Sequence, residues 1–191
     1  MYILGISGSP RKNGNTDILL DKALQGARSA RAKTEKITLN NLTISPCQEC
    51  ANMPEDGTCK IRDDFQKLYE KIKIADGVIL ASPIFFGSLS AQVKIMIDRF
   101  QCLWRYKEKQ NAAGKGRRTA DKKRGALILV EASERESFLD NAKSISKNFF
   151  ATAGIKYGRE LFCRGIDLKG AVTTRPECLE KAYDTGKKLL C

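Results

Sequence analysis

The sequence predicts a three-layer α/β domain in which helices cover both faces of a doubly wound, five-stranded parallel sheet with strand order 2-1-3-4-5. Three apolar runs, YILGI, GVILAS and GALILV, lack polar alternation, which is typical of central strands buried on both faces. Each run is followed by a stretch in which apolar residues recur at helical spacing. Because crossovers between parallel strands are right-handed, this alternation predicts a ligand site at the carboxyl ends of the strands.

Two further strands and five helices complete the prediction. The runs EKITL at 35–39 and ELFCRGI at 160–166 mix polar with apolar residues, which suits the two edges of the sheet. Each helix shows one apolar stripe that would face the sheet. The stripes lie within Leu20–Ala27, Phe65–Ile72, Leu89–Phe100, Phe138–Phe149 and Leu179–Gly186.

The length of 191 residues and a hydrophobic content of 42% fit a single domain over residues 1–191. Within it we expect a cysteine-containing insert at 45–62 and a basic loop at 105–124. No run approaches the roughly 20 apolar residues that a membrane helix needs. We therefore expect a soluble, cytoplasmic protein with no membrane partner.

The chain contains no histidine, which excludes a Ser-His-Asp triad, a Cys-His nucleophile pair and every histidine-ligated metal site. It contains seven cysteines, of which Cys47, Cys50 and Cys59 fall close together while the other four are scattered. An odd count with this spacing is not a disulfide framework, so it indicates a reducing compartment.

The net charge of +12 is concentrated in the basic loop at 105–124, which carries nine basic residues against two acidic ones. A run of this kind is either a solvated segment or an attractor for nucleic acid, acidic proteins or phosphorylated substrates. A nucleic-acid-binding module is one alternative function, but Tyr106 is the only aromatic residue there that could stack on a base. We therefore expect no nucleic-acid partner.

The loop GISGSPRKNGNT, residues 5–16, is rich in hydrogen-bond donors and predicts an anion site. Glycines 8 and 14 allow a tight turn, and the helix expected to start near Asn15 adds its positive end. Ser7, Ser9, Asn15 and Thr16 supply neutral donors, and Arg11 supplies a positive charge. The loop lacks the lysine of a nucleotide-triphosphate loop and any cysteine nucleophile, so we expect it to bind a phosphate monoester without cleaving it.

A second loop, SPIFFGSLS at 82–90, follows the third strand and faces the same crevice. Pro83, Ile84, Phe85, Phe86 and Gly87 would form an apolar ledge for a flat ring. A third strand end, VEASE at 130–134, would border the other edge of the ring through Ser133. A phosphate site beside a flat apolar ledge predicts flavin mononucleotide (FMN).

The segments GSPRKNGNT and SPIFFGSLSAQVKIMIDR, with the strand-helix cadence of the whole chain, resemble the NADPH-dependent FMN reductase family of flavodoxin-like proteins. The resemblance implies a three-layer flavodoxin-like fold, phosphate contacts from the first loop and ring contacts from the second. It also implies an FMN-dependent oxidoreductase or electron carrier that takes electrons from NAD(P)H or a ferredoxin-like donor. In such an enzyme the flavin performs the electron chemistry, so no side chain is expected to be catalytic.

The exposed apolar residues near the ring, including Trp104, predict a homodimer or homotetramer. A flavodoxin-like interaction protein without cofactor remains the other alternative.

The segment PCQECANMPEDGTCKIRDD resembles the compact cysteine motif of the iron-sulfur flavoprotein branch of that family, C-x2-C-x2-C-x4–7-C. Cys47, Cys50 and Cys59 match its first, second and fourth positions, and Met53 stands at the third. Three interpretations remain open. An iron-sulfur cluster could use these three thiolates with an outside ligand such as Cys102, could leave one iron open to solvent, or could remain a three-iron cluster. Zinc could be completed by a carboxylate of Glu49, Glu55 or Asp56. A metal-free loop could instead hold inert or redox-active thiols.

Overall fold

The computed structural model describes residues 1–51, 54–115 and 123–190 of the chain. Six strands form the sheet within these residues. They are β1 (Tyr2–Ser7), β2 (Lys33–Thr38), β3 (Gly77–Phe85), the two-residue β4 (Ser88–Leu89), β5 (Lys123–Val130) and β6 (Ile155–Cys163). The helices are α1 (Asn15–Ser29), α2 (Phe65–Ile74), α3 (Ala91–Asp98), α4 (Gln101–Ala112), α5 (Glu136–Ala153) and α6 (Pro176–Lys187). Single 3₁₀ turns occur at Leu39–Asn41 and Ala171–Thr174.

The strand order is β2-β1-β3-β5-β6, and all of these pairs are parallel. The predicted order 2-1-3-4-5 of the parallel strands is therefore confirmed, because the unpredicted β4 forms only an antiparallel hairpin on β3. The two mixed strands lie at the edges, as expected. β6 begins at Ile155, five residues before the predicted start at Glu160. The prediction missed this first half because its residues alternate between more buried and exposed positions and contain no apolar run.

The helical region after β3 differs from the prediction. One helix was expected up to Phe100, followed by the basic loop at 105–124; the structure instead places a second helix, α4, up to Ala112. Lysine, glutamate and glutamine are good helix formers, so a charged stretch can be helical even though it has a weak apolar stripe. The expected loop residues at 116–122, among them Arg117, Arg118 and Lys122, lie outside the described residues.

The core forms two apolar clusters, one on each face of the sheet. The face covered by α2, α3, α4 and α5 is rich in aromatic rings, and Phe100 and Phe149 meet edge to face with centroids 5.0 Å apart. The face covered by α1 and α6 is built from smaller aliphatic side chains such as Leu20, Ala23 and Ala182. Helices therefore cover both faces, which is the three-layer arrangement expected.

Helices α1 and α6 approach until their backbones touch. A Cβ atom at Gly26 would lie 1.9 Å from the Tyr183 carbonyl oxygen, and one at Gly186 would lie 1.7 Å from the Ala23 carbonyl oxygen. Neither glycine has room for any side chain, so the separation of the two helices is set by backbone contact.

Two cysteines of the described chain pair as a disulfide, which differs from the expectation of scattered single thiols. Cys163, the last residue of β6, is joined to Cys178 in the first turns of α6. The bond closes the base of the loop at 164–177. Cys191 lies outside the described residues.

None of the described helices combines the length and the apolar character that crossing a bilayer requires.

Replacing Gly186 by alanine tests the contact between α1 and α6. We expect Gly186→Ala to lower the free energy of unfolding by about 3 kcal/mol, because an added methyl group must push the two helices apart. The matched control is Gly158→Ala on β6, where a Cβ would meet only the Gly125 carbonyl oxygen at 3.8 Å. Urea denaturation monitored by circular dichroism measures both, and equal midpoints for the two variants would contradict the contact.

Candidate functional site

The loop after β1 is pinned across the end of β3 at Gly8. The Gly8 amide donates a hydrogen bond to the Ala81 carbonyl oxygen over 2.8 Å, and the Ser90 hydroxyl donates to the Gly8 carbonyl oxygen over 2.7 Å. A Cβ atom at residue 8 would lie 2.1 Å from a methyl carbon of Val93. The two loops predicted to share a ligand are thus held together by direct contacts that require glycine.

A buried carboxylate, which the sequence analysis missed, organises the same loop from behind. Asp17 in α1 accepts hydrogen bonds from the Ser7 hydroxyl over 2.6 Å and from the Asn13 amide over 3.0 Å. Its Oδ1 atom also lies 3.3 Å from Lys36 Nζ. The Ser7 hydroxyl therefore faces Asp17, and Ser7 is not among the residues that line the crevice.

A crevice of about 170 Å³ opens at the carboxyl ends of β1, β3, β5 and β6. It brings together seven of the residues predicted to contact the cofactor: Ser9, Arg11, Asn15, Thr16, Pro83, Ile84 and Phe85. The first four come from the loop and start of α1, and the last three from the end of β3. The two segments that the sequence placed at one site therefore do share one cavity.

The loop after β6 forms a further wall of the crevice that was not predicted. This wall consists of Ile166, Asp167 and Lys169. Asn15 holds this loop in place, because its amide nitrogen donates to the Leu168 carbonyl oxygen over 2.9 Å and its oxygen accepts from the Val172 amide over 3.2 Å. Arg11 adds a hydrogen bond to the Asp167 carbonyl oxygen over 3.2 Å. The position of this loop could have been predicted from the sequence, because a parallel strand next to β5 must end at the same edge of the sheet.

A tight hairpin carries the remaining ledge residues. Phe86 and Gly87 join β3 to β4 and both have left-handed backbones, with φ of 49° and 74°. This geometry is typical of a two-residue hairpin turn. Asn141 of α5 donates to the Gly87 carbonyl oxygen over 2.9 Å, and a Cβ at Gly87 would lie 2.9 Å from the Phe138 ring. The Phe86 side chain points fully into solvent.

The end of β5 contains a buried acid beside the crevice. Val130 and Ala132 line the cavity, and Glu131 between them is only 3% exposed. The Ser133 hydroxyl donates to one oxygen of this carboxylate, so Ser133 faces Glu131 and is not among the lining residues. Within the described part of the chain, the other carboxylate oxygen has no hydrogen-bond partner.

The cysteine segment is held against the helices by one buried cation, Arg99, which is 1% exposed between α3 and α4. Its guanidinium donates to the Ser45 and Ile61 carbonyl oxygens over 2.8 Å and 3.0 Å. It also donates to the Asp63 carboxylate over 2.6 Å and, through Nε, to the Cys59 sulfur over 3.2 Å. Arg99 therefore joins both ends of the segment at 45–62 to the core.

Four unpaired thiols of the described chain belong to this region. Cys47 and Cys50 are half-buried, and Cys59 and Cys102 are buried. Burial raises the pKa of the Cys102 thiol to about 11, and the neighbouring Cys59, Cys47 and Cys50 add to the shift. Across residues 1–51, 54–115 and 123–190, no group of three or more histidine, cysteine, aspartate or glutamate side chains is already arranged to hold a metal ion. Met53 lies outside these residues.

Comparison with known proteins identifies the family. Residues 1–147 match the model of the NADPH-dependent FMN reductase family. The chain belongs to this family. Over 99 residues this family member is 44% identical to an iron-sulfur flavoprotein of Methanocaldococcus jannaschii, a match covering 52% of this chain and 51% of that protein. It is 38% identical over 99 residues to an iron-sulfur flavoprotein of Methanosarcina thermophila, covering 52% of each chain. The chain spans about half the length of the curated relatives it matches.

Solved structures show the same fold. An NAD(P)H:quinone oxidoreductase from Methanothermobacter marburgensis superposes with a TM-score of 0.76 at 18% identity, covering 99% of this chain and 96% of that one. A flavone reductase superposes with a TM-score of 0.74 at 22% identity, covering 100% of this chain and 62% of that one. The flavodoxin-like architecture expected from the sequence is confirmed.

The ion pair between Arg99 and Asp63 predicts how the free energy of unfolding depends on pH. Burial alone would raise the pKa of Asp63, but hydrogen bonds from Arg99 and from the Ser45 and Phe65 amides hold it below its usual range. The ionised carboxylate therefore contributes stability above its unfolded pKa of about 3.9, and this contribution is lost as the pH falls through the lower folded pKa. We expect Asp63→Asn to lower the free energy of unfolding by about 3 kcal/mol at neutral pH, because it leaves Arg99 buried without its counter-charge. Below a pH of about 4 the difference from the wild type should shrink.

Urea denaturation at a series of pH values measures this difference. The control is Asp98→Asn, which removes an exposed pair with Lys94 and should cost less than about 1 kcal/mol at any pH. A cost for Asp63→Asn that does not change between neutral and acid pH would contradict the assignment.

Proposed function

We propose that the protein is an FMN-dependent oxidoreductase that takes electrons from NAD(P)H and passes them to a second acceptor. The observation that carries this proposal is the shared crevice, in which a donor-rich loop at a helix N-terminus meets an apolar strand end. The family supports a reductase that uses FMN. A ferredoxin-like protein is the alternative donor.

The loop after β1 fits a phosphate. Ser9, Arg11, Asn15 and Thr16 surround one end of the crevice at the start of the 15-residue helix α1, whose positive end favours an anion. Lys169 adds a second positive charge from the opposite wall. A Cβ at Gly14 would lie 3.0 Å from the Arg11 carbonyl oxygen, so glycine keeps the loop tight. We assign this end to the FMN phosphate.

The end of β3 fits the flavin ring. Pro83, Ile84 and Phe85 supply an apolar surface, and Gly87 places the hairpin close to α5. Val130 and Ala132 at the end of β5 line the same crevice. Bound FMN supplies the hydride and single-electron chemistry, and these residues would orient the ring and exclude water.

We also propose that the exposed aromatic residues near the crevice pack against a second copy of the chain in a homodimer or homotetramer. Phe86 is fully exposed and Phe85 is more than two-fifths exposed, both where β3 ends at the crevice. Trp104 is also more than two-fifths exposed, but it lines a different cavity between α3, α4 and α5. Large apolar side chains that cluster on a surface are typical of interfaces.

The names of the curated relatives support an iron-sulfur cluster in the cysteine segment, with Cys47, Cys50 and Cys59 as ligands. The donor chemistry fits such a group, because Fe–S clusters are held by cysteine thiolates. Arg99 donates a hydrogen bond to the Cys59 sulfur, and a set of thiolate ligands needs no histidine.

The FMN site is tested by removing its charge and one hydroxyl. Charge-assisted hydrogen bonds contribute about 1.5–3 kcal/mol, so the double variant Arg11→Ala/Thr16→Ala should bind FMN at least about tenfold more weakly. The matched control is Lys12→Ala, which removes an equal charge from an exposed neighbour that does not line the crevice. Fluorescence titration of the apoprotein with FMN measures the dissociation constant. Wild-type affinity in the double variant would show that the phosphate binds elsewhere.

The interface is tested by adding a charge to it. Wild-type protein with FMN bound should sediment as a dimer or tetramer, and Phe86→Glu should shift it to monomer because a carboxylate cannot be buried unpaired. Ile74→Glu, at an exposed position on α2, is the control and should leave the sedimentation unchanged. A monomeric, FMN-loaded wild type would rule out this interface.

A further inference from the structure

Among the residues that the structure describes, the four unpaired cysteines all lie in one corner of the molecule. Three belong to the segment at 45–62, and the fourth, Cys102, lies in the first turn of α4. The other two described cysteines, Cys163 and Cys178, form the disulfide at the opposite face. The free thiols of the described chain are thus concentrated at one place, although they come from distant parts of the sequence.

Contacts join Cys102 to the segment. Cys102 and Cys59 belong to the same buried cluster of the core. Cys102 and Cys50 line the same cavity, which has a volume of about 680 Å³ and opens between α4 and the segment. The segment is tied to α4 from the other side as well, because Arg105 forms an ion pair with Glu49. Helix α4 therefore forms one wall of the cysteine site.

The compact cysteine motif of this chain lacks one thiolate ligand, which Cys102 could supply. The compact motif needs a thiolate three residues after Cys50, and the chain has Met53 there. A thioether is neutral and a weak ligand, whereas cluster iron is held by anionic thiolates. The pattern therefore lacks one ligand within the segment, and the structure places one extra thiol next to it.

We propose that Cys102 of α4 supplies the fourth thiolate of an iron-sulfur site whose other ligands are Cys47, Cys50 and Cys59. This inference rests on the iron-sulfur part of the proposed function and is independent of the FMN site. The ligand set would be three thiolates from the segment and one from a helix, in place of four from a single compact motif.

The surrounding charges favour such a site. Four coordinating thiols release four protons and leave four negative charges. Arg99 donates directly to the Cys59 sulfur over 3.2 Å, and Arg105 and Lys109 line the cavity. Hydrogen bonds to cluster sulfurs and nearby cations stabilise the charged state and adjust its reduction potential. Arg105 and Lys109, which belong to the stretch expected to form a basic loop, would therefore lie beside the negatively charged thiolates.

The thiols do not yet converge on a common centre, which is consistent with a site completed by its metal. Cys47 and Cys50 are half-buried, whereas Cys59 and Cys102 are buried in the core. Metal binding would have to bring these two pairs of thiols together.

Anaerobic reconstitution with ferrous iron and sulfide tests the proposal, with iron, acid-labile sulfide and FMN counted in each sample. The wild type should hold about four irons and four sulfides per chain. Cys102→Ser should lose at least half of both while keeping its FMN. The matched control, Cys178→Ser, also removes one cysteine and should keep the wild-type iron and sulfide. Restoring the compact spacing in Met53→Cys/Cys102→Ser should return iron and sulfide to the wild-type level.

Wild-type iron and sulfide in Cys102→Ser would overturn the proposal, as would a wild type that holds zinc but no sulfide. In either case FMN binding would be unaffected, so failure here is distinguishable from failure of the FMN site. Cobalt(II) added to the metal-free wild type gives a second reading that needs no variant. Absorption bands of a four-thiolate site support Cys102 as a ligand, and those of a three-thiolate site overturn it.

Discussion

The contact between the backbone of Gly8 and the end of β3 is the constraint on which the candidate site depends. With both its amide and its carbonyl bonded to β3 or to the start of α3, Gly8 fixes the distance between the donor-rich loop and the apolar strand end. A parallel sheet by itself only brings strand ends to a common edge. The hydrogen bonds of Gly8 convert this general proximity into one defined cavity.

Much of this arrangement could be predicted from the sequence, because central parallel strands leave a simple pattern. The runs that became β1, β3 and β5 are apolar throughout, and the loops after β1 and β3 contain the glycines and donors that the site uses. The contributions of β6 and α4 were harder to predict. β6 alternates polar and apolar residues, and α4 is mostly charged, so neither has a strong periodic signal.

Side-chain roles were the least predictable part of the site. Serine, asparagine and arginine in a loop can face a ligand or the protein, and sequence does not distinguish the two. Ser7 bonds to Asp17 and Asn15 bonds to the loop after β6, so each acts on the shape of the crevice. Arg99 is a similar case, because one arginine among many basic residues is the one that joins the cysteine segment to the core. Such choices depend on distances between residues far apart in the chain.

With backbone atoms of α1 and α6 already in contact at Gly26 and Gly186, the contact between these two helices has no spare volume for a larger side chain. The opposite face accommodates the cysteine segment and the charged helix α4 between its aromatic rings and solvent. Larger side chains can therefore be accommodated more easily on that opposite face than at the contact between α1 and α6. In a library of random variants, substitutions by larger side chains would survive more often there than at Gly26 or Gly186.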